Sequence, residues 1–319
     1  MRLWVTAGGT GSAWHIASIA KKYYADKITL YISDINEAKL VASSTLADFF
    51  FQVPLVKEAG YAEYMYRLLK EHQIDVIIPL IPWEQRFFAP DLPAFASLGI
   101  KSIAPVGVTD NLLNDKNNLY RFCVSHEIPI IRQYEKEELE AEQIYFCKPA
   151  EGFGAMDARK MSGREILERC GTDAMDWERM VVQEYCEEDG IVREVTVEAF
   201  WDQKKLRTIC RRRLESKGGV CTKAEVLKLP ETDAVIKKMT DLLELPMVFN
   251  IQFVHYHDCW KVMDVNLRLA AGTGLSNAAG FQLIRALLAA LLGEPVEEEW
   301  LQVDEGIKTI LRVYQEIVI

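Results

Sequence analysis

The sequence predicts a small α/β domain built on a parallel sheet, followed by a larger α+β unit, with the boundary near residue 105. Three observations carry this reading. Up to about residue 105, short apolar runs alternate with helix-like segments, the pattern of a parallel sheet covered by helices. From about residue 106, strand-like runs come in pairs with turns between them, the pattern of antiparallel sheets with helices beside them. The chain has 319 residues, enough for two or three cores of useful size.

In the first unit, "RLWVTAG" reads as a strand, Ser12–Ala25 as a helix and "ITLYISD" as a strand. "EYMYRLLKEHQ" reads as a helix, "DVIIPLI" as a strand and "KSIAP" as a short strand. In the second unit a helix runs from Asp115 to His126. The strand pairs there are "YFCKP" with "DARKM", "REVTVEAF" with "KLRTICRRR", and "MVFNIQFVHY" with "WKVMDVNLR". The second unit divides further into parts of about 106–183 and 184–319.

Half of the residues are apolar and about a quarter charged, the balance of a soluble globular protein. The apolar run "LIRALLAALLG" is too short to span a membrane and contains Arg285. The N-terminus starts on a strand-like run and not on a targeting segment, so a cytoplasmic protein is expected. Seven dispersed cysteines with no metal-binding spacing point to free thiols in a reducing compartment. A net charge of −10 argues against a nucleic-acid partner. The one basic cluster, Arg207 and Arg211–Arg213 with Lys217 and Lys223, therefore calls for a local explanation.

The stretch "VMDVNLR" (262–268) sets Asp264, Asn266 and Arg268 at every second position of an otherwise apolar strand. All three project from one face at about 7 Å spacing, and burying them is costly unless something satisfies them. The preceding strand carries Asn250 and Gln252. A three-residue loop "HDC" pairing Tyr256 with Trp260 would set Gln252 across from Asp264 and Asn250 across from Asn266. A two-residue loop would place Gln252 and Asp264 on opposite faces. Oxygens so arranged suit Mg²⁺ or Mn²⁺ completed by an anionic ligand, with Arg268 gripping that anion. An ordinary half-exposed polar sheet face accounts for the same pattern.

Three further pieces bear on the choice. "YFCKPAEGFGAMDARK" (145–160) is a strand ending in Lys148, a loop with Gly152 and Gly154, and a second strand; glycines let backbone N–H groups approach phosphate oxygens. "MVVQEYCEEDGIVREVTVEAF" (180–200) leads from an apolar strand through Gln183, Glu184 and Tyr185 into a strand that includes Glu194. "NDKNNLYRF" (114–122) puts Lys116 at a helix start. A plain hairpin, a solvated acidic loop and a surface lysine are the bland alternatives.

Taken in order, these pieces resemble the ATP-grasp superfamily, and within it stand-alone proteins similar to one ATP-grasp unit of the carbamoyl-phosphate synthetase large subunit. The resemblance runs over essentially the whole chain and rests on "DK" (115–116), "KP-x-x-GFG" (148–154), "QEY" (183–185), "REVTVE" (193–198) and the "NIQF…DVNLR" hairpin. It implies a Rossmann-like pre-ATP-grasp domain followed by two subdomains that clamp ATP. Lys116 and Lys148 would contact the phosphates under a closing loop, Glu151–Ala155, with Gly152 and Gly154. Gln183 would lie among the nucleotide ligands, Glu184, Tyr185 and Cys186 would form the adenine hinge, and Glu194 would take the ribose. Gln252, Asp264 and Asn266 would hold Mg²⁺, and Arg268 the transferring phosphoryl group or the carboxylate. Asp264 replaces the family's usual Glu, and Gln252 matches the carbamoyl-phosphate synthetases, so metal is expected to arrive with ATP. The chain shows no second ATP unit and no glutaminase-like region, which sets carbamoyl-phosphate synthesis itself aside.

The activity so implied joins a small-molecule carboxylate to an amine through an acyl phosphate, releasing ADP and phosphate; many relatives are dimers, so a homodimer is one option and the oligomeric state stays open. "RRRLESKGGVCT" (211–222) would bind the carboxylate and the intermediate, with Arg213 and Lys217 in catalytic roles and Lys217–Gly219 as a mobile loop. Glu84 would face substrate. Two other readings stand beside this one: an ATP-grasp scaffold without turnover, and an NAD-dependent oxidoreductase. "TAGGTGSAW" has Gly9-x-Gly11 after a strand, with Asp34 a tempting ribose partner, but Trp14 occupies the third glycine position.

Overall fold

The structure, a computed structural model, describes residues 1–151, 158–172, 175–303, 306, 309–313 and 315–318. Its first part contains β1 (Arg2–Val5), α1 (Gly11–Tyr24), β2 (Thr29–Asp34), β3 (Phe49–Gln52), α2 (Tyr61–Glu71), β4 (Val76–Ile78), α3 (Pro82–Gln85), α4 (Pro93–Ala96) and β5 (Lys101–Ser102). The five strands form an all-parallel sheet in the order β3-β2-β1-β4-β5. The chain winds outward in both directions from β1, so a crevice opens at the C-terminal ends of β1 and β4. Strand β3 is absent from the sequence expectation. "FFFQ" lacks the flanking signals of a strand, and stacking holds it in place: Phe49 on Tyr31 and Phe51 on Trp4, with ring centroids 4.8 and 5.0 Å apart.

The chain continues through α5 (Gly107–Asn114), α6 (Lys116–Ser125), β6 (Ile144–Pro149), β7 (Arg159–Ser162), α7 (Gly163–Gly171) and β8 (Met180–Glu184). Asp115 caps α6 by accepting from the Asn117 and Asn118 amides. Strands β7-β6-β8 make a small antiparallel sheet. Its register puts Phe146, Lys148, Val181 and Gln183 on one face, while Tyr145, Cys147 and Val182 pack with Ile166 of α7 on the other.

The last part holds β9 (Arg193–Trp201), β10 (Leu206–Lys217), β11 (Val220–Leu227), α8 (Pro230–Leu242), β12 (Val248–Tyr256), β13 (Cys259–Asn266), α9 (Thr273–Ala278), α10 (Leu283–Leu292) and β14 (Thr309–Leu311). The sheet runs β13-β12-β9-β10-β11-β14, antiparallel throughout. One face, with Val195, Val197, Ile251, Phe253, Val262 and Val265, is buried under α8 and α6. The other face changes character along its length. At one end Phe200, Ile209 and Val248 join a core with α1 and α10; at the other it carries a row of polar groups. Burying each such aliphatic side chain stabilises by about 1.5–3 kcal/mol, so this end ties the parallel sheet to the antiparallel one. A buried hydrogen bond from Gln85 Nε2 to the Leu267 carbonyl (2.8 Å) adds a second tie.

Two turns differ from expectation. The β10–β11 connection is a tight hairpin with Gly218 and Gly219 at φ +55° and +76°, a conformation that favours glycine, where a mobile loop was expected. The β12–β13 connection is a two-residue turn, His257-Asp258, both with positive φ, and it pairs Tyr256 with Cys259 instead of Trp260. By parity alone this turn would separate Gln252 from Asp264. A bulge rescues the pairing. Phe253 faces Val262, Gln252 faces Asp264, and Met263 is the extra residue between. Beyond it Asn250 faces Asn266, so the polar residues share a face although the turn is shorter than anticipated.

Deleting Met263 is therefore expected to be far more damaging than truncating it. The deletion turns Asp264, Asn266 and Arg268 onto the apolar face, and urea denaturation should show a loss above about 3 kcal/mol or no cooperative transition. Met263→Ala keeps the residue count and should cost no more than about 2 kcal/mol. Equal losses would show that the bulge does not set the register.

Candidate active site

The polar face of the six-stranded sheet, the Lys148 face of the small sheet and the β1/β4 crevice enclose a cleft of about 570 Å³. Strand alternation places every polar group from the large sheet. Glu194, Thr196 and Glu198 come from β9, Arg211 and Arg213 from β10, Asn250 and Gln252 from β12, and Asp264 and Asn266 from β13. Arg268 follows just beyond β13.

Lys148 is buried and donates to the Met263 carbonyl at 3.2 Å, which links the small sheet to the bulge. Burial lowers its pKa to about 8 despite the opposing pull of Asp264, and Lys116 lowers it further. Lys116 is also buried, with Nζ 3.3 Å from the Ala150 carbonyl. Arg268 donates to Asn266 Oδ1 (3.2 Å) and the Leu269 carbonyl (3.3 Å), and burial lowers its pKa against the attraction of Asp264. Lys116, Lys148 and Arg268 thus stand partly desolvated near Asp264, with Glu194 also acting on Lys148, an arrangement that accommodates an anionic ligand. Arg213 lies 3.7 Å from Glu194 at the cleft wall.

Just beyond β8, Cys186 packs with Ile131 and Val254, flanked by Tyr256 and Met263, in a small apolar cluster. Burial pushes the Cys186 thiol up to about 12, so it is an inert apolar group there. Glu184 is held by Lys261 at 2.8 Å, and the Tyr185 hydroxyl donates to Glu187 at 2.8 Å. Gln183 shares the cleft-side face with Lys148 and Phe146, and its buried Oε1 has no hydrogen-bond partner among the described residues. An orphan acceptor of this kind costs about 1–3 kcal/mol until a donor reaches it.

Of the residues singled out in the sequence, Lys116, Lys148, Glu194, Arg213, Gln252, Asp264, Asn266 and Arg268 all line this one cleft. Gly152 and Gly154 lie outside the described residues. Lys217 is not brought in. It sits at the end of the hairpin, mostly exposed, 4.0 Å from Glu215, because odd and even residues of β10 face opposite ways until the register shifts at Arg213 and Glu215. Arg212 likewise points away, toward Glu225 at 3.2 Å. Glu84 does not face the cleft as an open carboxylate. It is buried, accepts from Thr6 and from the Tyr61 hydroxyl (2.8 Å), and has its pKa raised to about 7 by burial. Asp34, the tempting ribose partner of the dinucleotide alternative, accepts from the Gly9 amide (2.7 Å) and the Asn36 amide (2.9 Å).

The sequence reading passed over a buried network behind the cleft. Glu198 pairs with Arg211 at 2.6 Å, both almost fully buried, and also accepts from the Thr273 and Ser276 hydroxyls. Arg211 Nε donates to Ser276 at 2.8 Å. The signal was available: Glu194, Thr196 and Glu198 alternate in "REVTVEAF" just as Asp264, Asn266 and Arg268 do in "VMDVNLR".

Residues 176–313 match a family described as ATP-grasp in the biosynthetic pathway with Ter operon, and residues 4–103 match the PylC-like N-terminal domain. The chain has an ATP-grasp fold. Its fold is that of N5-carboxyaminoimidazole synthetase from Staphylococcus aureus complexed with ADP (TM-score 0.74, 14% identity, 93% of this chain and 78% of that one). It is similarly close to the biotin carboxylase domain of Hydrogenobacter thermophilus 2-oxoglutarate carboxylase, in complex with MgADP, ADP and bicarbonate (0.74, 14%, 96% and 72%). Carboxyaminoimidazole ribonucleotide synthase from Aspergillus clavatus, complexed with ATP, gives 0.72 at 14% identity, covering 95% of this chain and 80% of that one. No curated protein matches by sequence. Among the described residues no helix is long and apolar enough to cross a membrane.

The buried Lys148 of this ATP-grasp cleft makes a pH-dependent prediction. Its folded pKa, about 8, lies below the ordinary value of 10.5, so burying the charged form opposes folding. Lys148→Met should therefore raise the ligand-free Tm at pH 7. The gain should be full below about pH 8 and vanish as pH rises toward about 10.4, where an unfolded lysine also loses its proton. Melting curves of both proteins from pH 6 to 10.5 test this; a variant less stable at pH 7 would make Lys148 a structural residue.

Proposed function

We infer that this protein is an ATP-dependent ligase that activates a carboxylate as an acyl phosphate and transfers it to an amine, releasing ADP and phosphate. The observation that carries the reading is the pairing of two buried lysines on one wall with Asp264, Asn266, Gln252 and Arg268 on the facing wall of a single cleft. Structural neighbours with ADP, ATP or bicarbonate in their described complexes support it.

In this reading adenine lies in the slot near Cys186 and Val254, where Gln183 Oε1 can accept from the exocyclic amine. Glu194 accepts from the ribose hydroxyls, and Lys116 and Lys148 neutralise phosphate oxygens. A divalent cation would be held by Gln252, Asp264 and Asn266, whose side chains share one face; Asn266 now turns Nδ2 toward Asp264 Oδ2 (3.5 Å) and its Oδ1 toward Arg268 (3.2 Å), so its amide would turn to ligate. One carboxylate and two amides form a weak set alone, so Mg²⁺ would come with the triphosphate and supply charge neutralisation.

Phosphoryl transfer needs mainly positioning and neutralised charge. A carboxylate oxygen of the substrate attacks the γ-phosphorus and the bond to the β-γ bridging oxygen breaks, with ADP leaving. Arg268 holds the transferring group from the sheet side. The amine then attacks the acyl carbon, loses a proton, and phosphate departs. Arg213, 3.7 Å from Glu194, would steady the developing oxyanion.

Phosphate release from Mg-ATP across a panel of carboxylates paired with amines tests the reading. Turnover should require both partners, and Asp264→Asn should lower it at least about 100-fold while moving Tm by no more than about 4 °C. Nucleotide binding without phosphate release on any pair would instead favour a non-catalytic scaffold.

A further inference from the structure

Gln85, at the C-terminal end of α3, reaches from the parallel-sheet domain to the backbone of the six-stranded sheet. It is about 1% exposed, and its Nε2 donates to the Leu267 carbonyl at 2.8 Å. Leu267 stands between Asn266 and Arg268, and its own side chain is sealed in the core under α8 and α6. Both neighbours line the cleft. A backbone held at Leu267 therefore fixes where those two side chains point.

Sheet pairing stops short of this point. The register of β12 with β13 ends at Asn250 and Asn266. Past it two side-chain amides take over: Gln85 Nε2 on the Leu267 carbonyl, and Asn250 Nδ2 on the Arg268 carbonyl at 2.9 Å. Arg268 in turn donates to Asn266 Oδ1 at 3.2 Å, so the two cleft-facing side chains shift together.

Helix α3 is short but firmly seated. Glu84, next to Gln85, accepts from the Thr6 hydroxyl just past β1 and from the Tyr61 hydroxyl at the start of α2 (2.8 Å). Thr6 also accepts from the Leu80 amide at 3.1 Å. Gln85 thus carries a fixed point of the parallel-sheet domain to the end of β13. The far side of its amide is unsatisfied: Oε1 is buried with no hydrogen-bond partner among the described residues, and an orphan acceptor destabilises a fold. An apolar side chain of the same size would fill this site without that penalty, so packing alone does not account for a glutamine here.

We propose that Gln85 is a positioning residue: through the Leu267 carbonyl it aims Arg268, with Asn266, at the phosphoryl group that is transferred. What Arg268 grips rests on the ligase reading; that Gln85 sets the place of Arg268 does not. The parallel-sheet domain thereby takes part in recognising the last phosphate of the nucleotide without touching it.

The test compares the native full chain with Gln85→Met, which keeps the size of the side chain and removes both the donor and the orphan acceptor. Calorimetry in the presence of Mg²⁺ measures affinity for ADP and for the non-hydrolysable ATP analogue AMPPNP. The native protein should prefer AMPPNP. Gln85→Met should lower that preference at least about fivefold, with ADP affinity within about twofold of native and Tm within about 4 °C. In an Arg268→Met background the same change should have no further effect on the preference, because the residue through which it acts is gone. An unchanged preference, equal losses for both nucleotides, or losses that add to those of Arg268→Met overturn the proposal. Gln85→Leu is a second variant without the donor; if neither folds, Gln85 is a structural residue and the proposal also falls. A native protein that binds no nucleotide, or shows no preference for AMPPNP, refutes the ligase reading of Arg268. The positioning claim is then decided by a crystal structure of Gln85→Met: an Arg268 guanidinium displaced by about 1 Å or more upholds it, and one left in place overturns it.

Discussion

A β-strand shows alternate residues to opposite sides, so a sheet can keep hydrocarbon on one face and charge on the other only while its register holds. In this protein that constraint falls on β12 and β13. Their two-residue turn has the wrong parity for the polar residues, and the extra residue Met263 corrects it. The same residue's carbonyl receives Lys148 from the small sheet. The bulge therefore does two things: it aims Asp264, Asn266 and Arg268 into the cleft, and it offers a backbone acceptor to the opposite wall.

The cleft keeps several charged groups out of water. Lys148 has its pKa depressed to about 8 by burial, Arg268 is shifted in the same sense, and Glu198 and Arg211 are sealed behind them. Such burial opposes stability unless each charge is matched. Glu198 is matched fully by one guanidinium and two hydroxyls, and it shows no need of a ligand. Lys148 is offset by Asp264 and Glu194, and Arg268 by Asp264, an arrangement that still accommodates a polyanion. Stability given up at Lys148 is in this view the physical cost of nucleotide affinity.

The parallel-sheet domain contributes more than a lid or spacer. Helix α1 packs its alanine-rich side on α10 and delivers its N-terminus to the cleft, while Gln85 grips the chain just after β13. The crevice at the ends of β1 and β4 is where doubly wound sheets bind ligands. Here that crevice opens toward the polar sheet face, so both domains line one cleft. The glycine-rich turn before α1, which by itself resembles half of a dinucleotide fingerprint, is held by Asp34 and Thr10.

The amino-acid order alone determined the parallel-then-antiparallel architecture, because apolar runs and their spacing are local. It also determined which side chains of "VMDVNLR" and "NIQF" share a face, since period-two alternation survives wherever the strand does. It did not determine the turn length or the bulge. Positive φ at His257 and Asp258 carries no glycine signal, and a bulge is a compromise between two strands that neither encodes separately. Lys217 was misplaced for a related reason: the register shifts along β10 decide which arginine or lysine faces inward. The bonding partners of Glu84, Asp34 and Arg211 lay beyond the reach of a linear reading. Whether a buried acid is a free ligand or a bolt depends on partners far away in sequence, Thr6 and Tyr61 for Glu84, and Thr273 and Ser276 for the pair Glu198 and Arg211. Only the folded chain sets those distances.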